Sequence, residues 1–232
     1  MSATAANILT SDLQTICGSR LQAVVVYGPH AAGSTSGPLH TLALVERLDL
    51  ADLEACARRH RAWAREGLAT PLLLDREEFA RSLDVFPMEF GAILAHHQVV
   101  FGTDPFEGLS VHAGDLRRAC EVEIKGHLLH LRESYVESGG DPEVTAEIVH
   151  ASAPALRTLL EHVARLDGAP AASNEALTAH AAARLGTGHG GALGGVLTLL
   201  DTSVATTDAA RLFPSYLGAV KALARYVDDW RT

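Results

Sequence analysis

Residues 21–45 read LQAVVVYGPHAAGSTSGPLHTLALV, two apolar segments joined by a loop of small residues. The segments 21–27 and 40–45 are short, apolar and contain β-branched residues, which indicates two buried strands. Gly, Ser and Pro dominate the stretch between them, and these residues interrupt regular structure because they favour turns. The sequence therefore predicts a strand, a loop over 28–38 and a second strand.

Helices and short strands alternate around this loop. Apolar residues recur at helical spacing over 3–17, before the first strand, and over 50–66, after the second. Two further apolar runs, at 71–74 and 99–101, predict short strands. We therefore expect residues 1–112 to form an α/β domain.

The second half of the chain has no strand pattern. Helical periodicity is found over 115–137, 142–166, 174–185, 191–200 and 209–230. Asp141 followed by Pro142 is a typical helix start, because the carboxylate caps free N–H groups and proline fits the first turn. Short connections favour antiparallel neighbours. We therefore predict a helical bundle over residues 113–232 and an α+β protein overall.

The loop and its strands resemble the active-site region of the nucleotidyltransferase-fold superfamily, especially its aminoglycoside and minimal members. Those proteins carry a strand, the pattern G-S-x-x-x-G, a short insertion, and D-x-D opening the next strand. Gly28 and Gly33 occupy the two glycine positions, and Pro38 and His40 occupy the D-x-D positions. The remnant of the nucleotide-binding loop consists of Gly28, Pro29, Gly33 and Ser34. The resemblance implies an N-terminal domain with a small mixed sheet, followed by a helical domain.

The departures from this family pattern affect the residues that carry its chemistry. In the family, the paired Asp side chains hold two Mg²⁺ ions that bridge the triphosphate and polarise the attacking hydroxyl. Pro38 has no ligand atom, and His40 is a poor Mg²⁺ ligand. Pro29 replaces the phosphate-binding Ser, so a hydroxyl and a backbone donor are both lost. We therefore predict a catalytically degenerate protein with no metal and no cofactor, which binds a nucleotide weakly or binds a partner.

Two enzymatic alternatives stay open at this point. In the first, His40 and Asp75, the carboxylate just past 71–74, act as substitute ligands, and Mg²⁺ and a nucleotide are then required. In the second, Arg157 and His162 match the R-x4-H spacing of the HEPN ribonucleases, in which His acts as acid and base while Arg steadies phosphate. A third possibility is a binding component of a toxin–antitoxin pair, whose partner is a separate chain.

Glycine-rich sequence in the helical half suggests two further hypotheses. Gly186, Gly188 and Gly191 match a dinucleotide fingerprint, but they follow a helix and not a strand, so a break between helices is expected. Gly190, Gly191, Gly194 and Gly195 fall in or beside one short predicted helix. Each glycine costs about 1 kcal/mol relative to alanine unless close packing compensates. We therefore predict a homodimer with the helix near 191–200 at or beside the contact.

Composition restricts the partners and the compartment. The net charge is −9 and no basic run exists, which argues against nucleic acid, because phosphate binding needs clustered Lys and Arg. The longest apolar run is far shorter than the roughly 20 residues that span a membrane. Three cysteines are scattered without zinc-site or CxxC spacing. We therefore expect a cytoplasmic protein.

Overall fold

The computed structural model describes residues 2–33, 37–169, 173–201 and 206–231. The chain divides into two units, residues 1–112 and 113–232. The first unit contains helices and a four-stranded sheet. Its elements are α1 (Ser2–Cys17), β1 (Leu21–Tyr27), β2 (His40–Val45), α2 (Leu50–Arg65), β3 (Leu72–Asp75), α3 (Arg76–Ala80), α4 (Pro87–Ala95) and β4 (His97–Gly102).

The sheet has the order β3-β2-β1-β4 and is mixed, as predicted. β1 pairs antiparallel with β2 and β4, whereas β3 runs parallel to β2. Apolar side chains occupy both faces, because successive residues of a strand point in opposite directions. Val24, Val26 and Ala43 pack in one cluster with Leu9 and Trp63 of the helices. On the other face, a second cluster contains Ala23, Val25, Leu42, Leu44, Phe79, Phe90, Ile93 and Phe106.

Polar contacts fix α1 and α2 on the first face. The Asp12 carboxylate accepts hydrogen bonds from Arg59 Nε at 2.9 Å and from Trp63 Nε1 at 2.8 Å. At the start of α2, Asp49 and Asp52 form a capping box, in which each side chain accepts from the other residue's backbone N–H. Arg20 Nη1 and Nη2 each donate to the nearly buried Asp52 carboxylate at 2.7 Å. These pairs hold the helices in place beside the strands that carry the loop.

The second unit is a helical bundle, as predicted. Its helices are α5 (Ala113–Glu137), α6 (Pro142–Leu166), α7 (Asn174–Leu185), α8 (Thr187–Leu197) and α9 (Thr206–Asp229). α8 begins earlier than the predicted helix near 191–200. Gly186 alone interrupts the helical path, with a φ of 89° that favours glycine, and the helix resumes at Thr187.

Two glycines of α8 pack tightly against α7. A Cβ atom built on Gly190 would lie 2.5 Å from the Cα of Ala182, and one on Gly194 would lie 2.6 Å from Cγ2 of Thr178. Both glycines are buried. Close packing within the bundle therefore compensates for these glycines, and they give no evidence for a contact with a second copy.

A buried carboxylate joins the end of α6 to α7 and the last turn of α9. The Asp167 side chain is only 3% exposed. It accepts hydrogen bonds from Tyr226 Oη at 2.7 Å, Trp230 Nε1 at 2.9 Å, His180 Nε2 at 2.8 Å and Arg184 Nε at 3.1 Å. Although burial raises the pKa of Asp167, the bonds from Tyr226 and Trp230 and the charge of Arg184 bring it below its usual value.

The three cysteines are buried as free thiols. Burial raises the pKa of each, to about 11 for Cys56 and to about 12 for Cys120, and raises the pKa of Cys17 as well. None of the helices in the described parts of the chain has an apolar stretch of the length that a bilayer crossing requires.

Candidate functional site

The loop after β1 turns back on its own backbone. Gly28 and Gly33 have φ values of 73° and 93°, which a side chain would strain, so glycine is needed at both positions. The amides of Ala31 and Ala32 donate to the carbonyl of Gly28, and the amide of Gly33 donates to that of His30. These N–H groups are therefore engaged inside the loop, and Pro29 between them has none to offer. Ser34 lies outside the described residues.

Three rings form a row at the loop end of the sheet. Tyr27, the last residue of β1, pairs with His40 of β2 on one side and with His97 of β4 on the other. Directly paired residues of neighbouring strands share a face of the sheet. The ring centroids of Tyr27 and His40 are 5.8 Å apart. His40 is thus one of three rings in a row that contains no carboxylate.

The third ring of the row is held by its neighbours. His97 Nε2 lies 3.2 Å from an Asp104 carboxylate oxygen, and Nδ1 lies 3.1 Å from the carbonyl oxygen of Ile93. The Phe106 N–H donates to Asp104 at 2.9 Å. Partial burial raises the pKa of Asp104, but this N–H and His97 bring it below its usual value. Asp104 is therefore a carboxylate that fixes a histidine and a turn.

Sequence reasoning missed Tyr27, His97 and Asp104. The local signals were weak: a tyrosine before the loop glycine, and an Asp-Pro turn seven residues after a histidine. Only the strand register brings Tyr27 and His97 beside His40.

Asp75 lies at the opposite end of the sheet from His40. Because Asp75 pairs with Val45 in the parallel β2–β3 ladder, it is five residues further along the strands than His40, or about 16 Å at ~3.3 Å per residue. Its carboxylate accepts from the N–H groups of Glu77 at 2.9 Å and Glu78 at 2.8 Å, as the N-cap of α3. The structure therefore does not bring His40 and Asp75 together as ligands of one ion, and Asp75 is the N-cap of α3.

Metal-ligand side chains are not grouped elsewhere in the described ranges either. Across residues 2–33, 37–169, 173–201 and 206–231, no three His, Cys, Asp or Glu side chains come together as ligands of one ion would. His127 and His130, three residues apart on α5, do not form a ligand pair: His127 Nε2 lies 2.6 Å from the buried Tyr216 hydroxyl, whereas His130 is exposed beside Glu133. Of the three fingerprint glycines, Gly186 separates α7 from α8, as expected of a helix break, whereas Gly188 and Gly191 lie within α8.

Arg157 and His162, the two residues with ribonuclease spacing, make contacts within the helical bundle. His162 is 7% exposed, and its Nδ1 lies 2.9 Å from Arg165 Nη1, which can only donate, so Nδ1 is an acceptor. Arg157 donates from Nε to Asn174 at 3.1 Å and pairs with Glu161 at 3.0 Å. Burial, followed by the Arg165 charge, lowers the pKa of His162 to about 4. His162 therefore lies inside the bundle, where it accepts from Arg165, and these contacts give the ribonuclease hypothesis no support.

The lowered pKa of His162 predicts a pH-dependent stability. The unfolded chain protonates this histidine near its ordinary value of about 6.5 and the folded chain only near 4, so the unfolded state binds the extra proton between these values. Stability therefore falls as the pH drops from about 6.5 to 4, by roughly 3 kcal/mol from this group alone. We expect His162→Gln, which retains an acceptor for Arg165, to destabilise the protein most at pH 7 and progressively less toward pH 4.

Urea unfolding at a series of pH values checks this result. His189→Gln, at an exposed histidine of the same unit, is the matched control and is expected to lose stability in parallel with the wild type. A His162→Gln protein that loses stability in parallel with the wild type from pH 7 to pH 4 would show that His162 is not the responsible group.

Comparison with known proteins identifies the fold. Neither a protein-family model nor a curated protein matches the sequence. Among solved structures, the crystal structure of spectinomycin adenyltransferase AAD(9) from Enterococcus faecialis, with ATP and spectinomycin, matches with a TM-score of 0.62 and 12% sequence identity. The match covers 99% of this chain and 100% of that one. The chain therefore has a nucleotidyltransferase-like fold, in which a small mixed sheet is followed by a helical bundle.

Proposed function

We propose that this protein is a catalytically degenerate nucleotidyltransferase-like protein that acts by binding. The observation that carries the proposal is the row of rings at the loop end of the sheet. Where the family pattern requires paired carboxylates, Pro38 precedes β2 and His40 begins it. The other two residues of the row, Tyr27 beside His40 and His97 beyond Tyr27, are rings. The candidate carboxylate, Asp75, caps a helix at the far end of β3.

The donor set here does not fit two Mg²⁺ ions. Mg²⁺ prefers carboxylate, phosphate and water oxygens in octahedral geometry, and the row supplies imidazole and phenol groups. Both ring nitrogens of His97 already lie within hydrogen-bond distance of other groups, the Ile93 carbonyl oxygen and the Asp104 carboxylate. We therefore propose no metal-dependent reaction for this chain.

The ligand that the site supports best is a nucleotide held through its base. Base stacking on aromatic side chains contributes about 1–3 kcal/mol per base and needs no metal. Tyr27 and His40 present two neighbouring, half-buried rings beside the loop. The described part of the loop is poorly suited to phosphate, because the amides of Ala31, Ala32 and Gly33 donate to loop carbonyls and Pro29 has no N–H. Binding is therefore expected to be weak and indifferent to Mg²⁺.

Two measurements test this function. Radiolabelled ATP, GTP, CTP and UTP are offered with Mg²⁺ or Mn²⁺ and with aminoglycoside, protein and RNA acceptors, and no transfer above background is expected. Calorimetric titration is expected to detect weak nucleotide binding that chelation of Mg²⁺ leaves unchanged. His40→Ala should weaken that binding at least about fivefold, from the lower end of the stacking contribution, whereas His130→Ala, at an exposed histidine of the helical unit, should not.

Any of three outcomes would contradict the proposal. Nucleotide transfer that persists in His40→Ala would show that the fold retains catalysis by other residues. If no binding is detected at millimolar nucleotide, a nucleotide is not the ligand of this site. If binding requires Mg²⁺, the site binds a metal ion.

We also propose that the protein acts as a homodimer.

A further inference from the structure

The outward face of α5 carries an apolar stripe with regular spacing. Val122, Leu129 and Val136 are 68%, 54% and 77% exposed, and they follow one another at intervals of seven residues. In a helix, residues seven apart differ by only about 20° around the axis, so the three form one line. The opposite side of the helix is already in the core of the bundle, through the buried Ile124, Leu128 and Leu131 and the residues around them.

The stripe fits a heptad pattern, in which positions are named a to g. With the stripe at d, the a positions are Ala119, Gly126 and Glu133. A Cβ on Gly126 would meet nothing within 4 Å among the described residues, so their packing does not account for a glycine in the middle of a 25-residue helix. A glycine there costs about 1 kcal/mol relative to alanine. Small residues at a allow a second helix to approach closely.

Charge is divided between the two flanks of the stripe. One flank, the g positions, consists of Arg118, Lys125 and Arg132. The other flank, the e positions, consists of Glu123, His130 and Glu137. Within the helix, Arg118 pairs with Asp115 and Lys125 pairs with Glu121, and these exposed ion pairs contribute little to stability. Both flanks are therefore available to a partner helix.

The charges select a parallel orientation. In a parallel pair of helices, each g residue faces the e residue of the following heptad on the other helix. Arg118 then meets Glu123 of the second copy and Arg132 meets Glu137, whereas the middle pair, Lys125 with His130, adds no attraction. In an antiparallel pair, two-fold symmetry would instead bring each basic flank against its own copy, which is unfavourable. Flanks of opposite sign on one helix are thus complementary to the same helix in parallel.

We propose that α5 is the homodimer contact of this protein and pairs in parallel with α5 of a second copy. Glu133 at an a position makes the seam less stable, and a polar a residue also favours a single register. Three heptads form a small interface, so the dimer is expected to dissociate in the micromolar range. The proposal is independent of the ligand site, because that site lies in the other unit.

Analytical ultracentrifugation of the full chain tests the contact. The wild type is expected to shift from monomer to dimer as its concentration rises through the micromolar range. Leu129→Glu should remain monomeric at every concentration, and Lys125 and Arg132 beside it should let the helix accept the new charge. Val144→Glu, at an exposed apolar residue of α6, is the matched control and should dimerise normally. Circular dichroism establishes that each variant is folded.

Three more variants test the orientation. Under mild oxidation, the cysteine of Val136→Cys should form a disulfide with the same position of the second copy, because equivalent d residues meet in a parallel pair. Arg118→Glu should weaken the dimer several-fold, and adding Glu123→Arg in the same chain should restore it. A chain that stays monomeric at high micromolar concentration, a dimer that Leu129→Glu leaves intact, or a dimer in which Val136→Cys does not cross-link would each overturn the proposal.

Discussion

Replacing Asp167 with alanine is expected to lower the unfolding free energy by about 3–5 kcal/mol, the usual cost of removing one partner from a buried charged network. The carboxylate is almost inaccessible and accepts from four side chains of α7 and the C-terminal end of the chain. Its loss leaves the half-buried Tyr226 hydroxyl and Trp230 N–H without their acceptor. Each such unpaired group costs about 1–3 kcal/mol.

Urea unfolding followed by circular dichroism measures this loss. Tyr226→Phe removes one donor and keeps the carboxylate, so a smaller effect of about 1 kcal/mol is expected. Asp229→Ala, at an exposed carboxylate near the end of α9, should change stability by no more than about 0.5 kcal/mol. An Asp167→Ala protein that lost under about 1 kcal/mol would mean that the network does not hold the end of the chain.

Alanine substitutions at two adjacent glycines of α8 are expected to change the stability of the protein in opposite directions. Gly190→Ala would put a Cβ 2.5 Å from the Cα of Ala182, and no rotamer change relieves a clash with backbone. α7 and α8 must then separate, at a net cost of about 1–3 kcal/mol. Gly191 is exposed and a Cβ there meets nothing within 4 Å, so Gly191→Ala should stabilise the protein by up to about 1 kcal/mol.

Thermal and urea unfolding of the two variants in parallel decides this prediction. If both substitutions stabilised the protein, α7 and α8 would not be in the close contact described here. If Gly190→Ala left a stable monomer but abolished a dimer, the glycines would face a second copy and the contact would not be on α5.

Local patterns predicted much of the fold because they are set by neighbouring residues. The strands at 21–27 and 40–45 and the helix at 142–166 have the predicted bounds. In each case a turn residue or a cap lies at the boundary, such as Gly28 after β1 and Asp141 before α6. The spacing of the loop glycines likewise predicted a nucleotidyltransferase-like fold, which the structural match confirms at 12% identity.

The candidate site was less predictable because it depends on pairing between distant segments. Asp75 follows a strand in the sequence, as a metal ligand would, and only the parallel register separates it from His40. The spacing of Arg157 and His162 likewise matches a catalytic pattern, but His162 is buried in the folded bundle. Neither strand order nor the burial of one helix face against another is encoded in a short motif.

The reactivity of the buried cysteines can be used to measure how often each unit of the protein opens. A thiol reacts as the thiolate, and the raised pKa values keep all three side chains protonated near neutral pH, while burial blocks reagents. Alkylation therefore requires the surrounding structure to open, and its rate measures how often that happens. Cys17 and Cys56 report on residues 1–112, and Cys120 reports on residues 113–232. The native chain thus carries chemical probes that distinguish local opening of the sheet unit from that of the helical bundle.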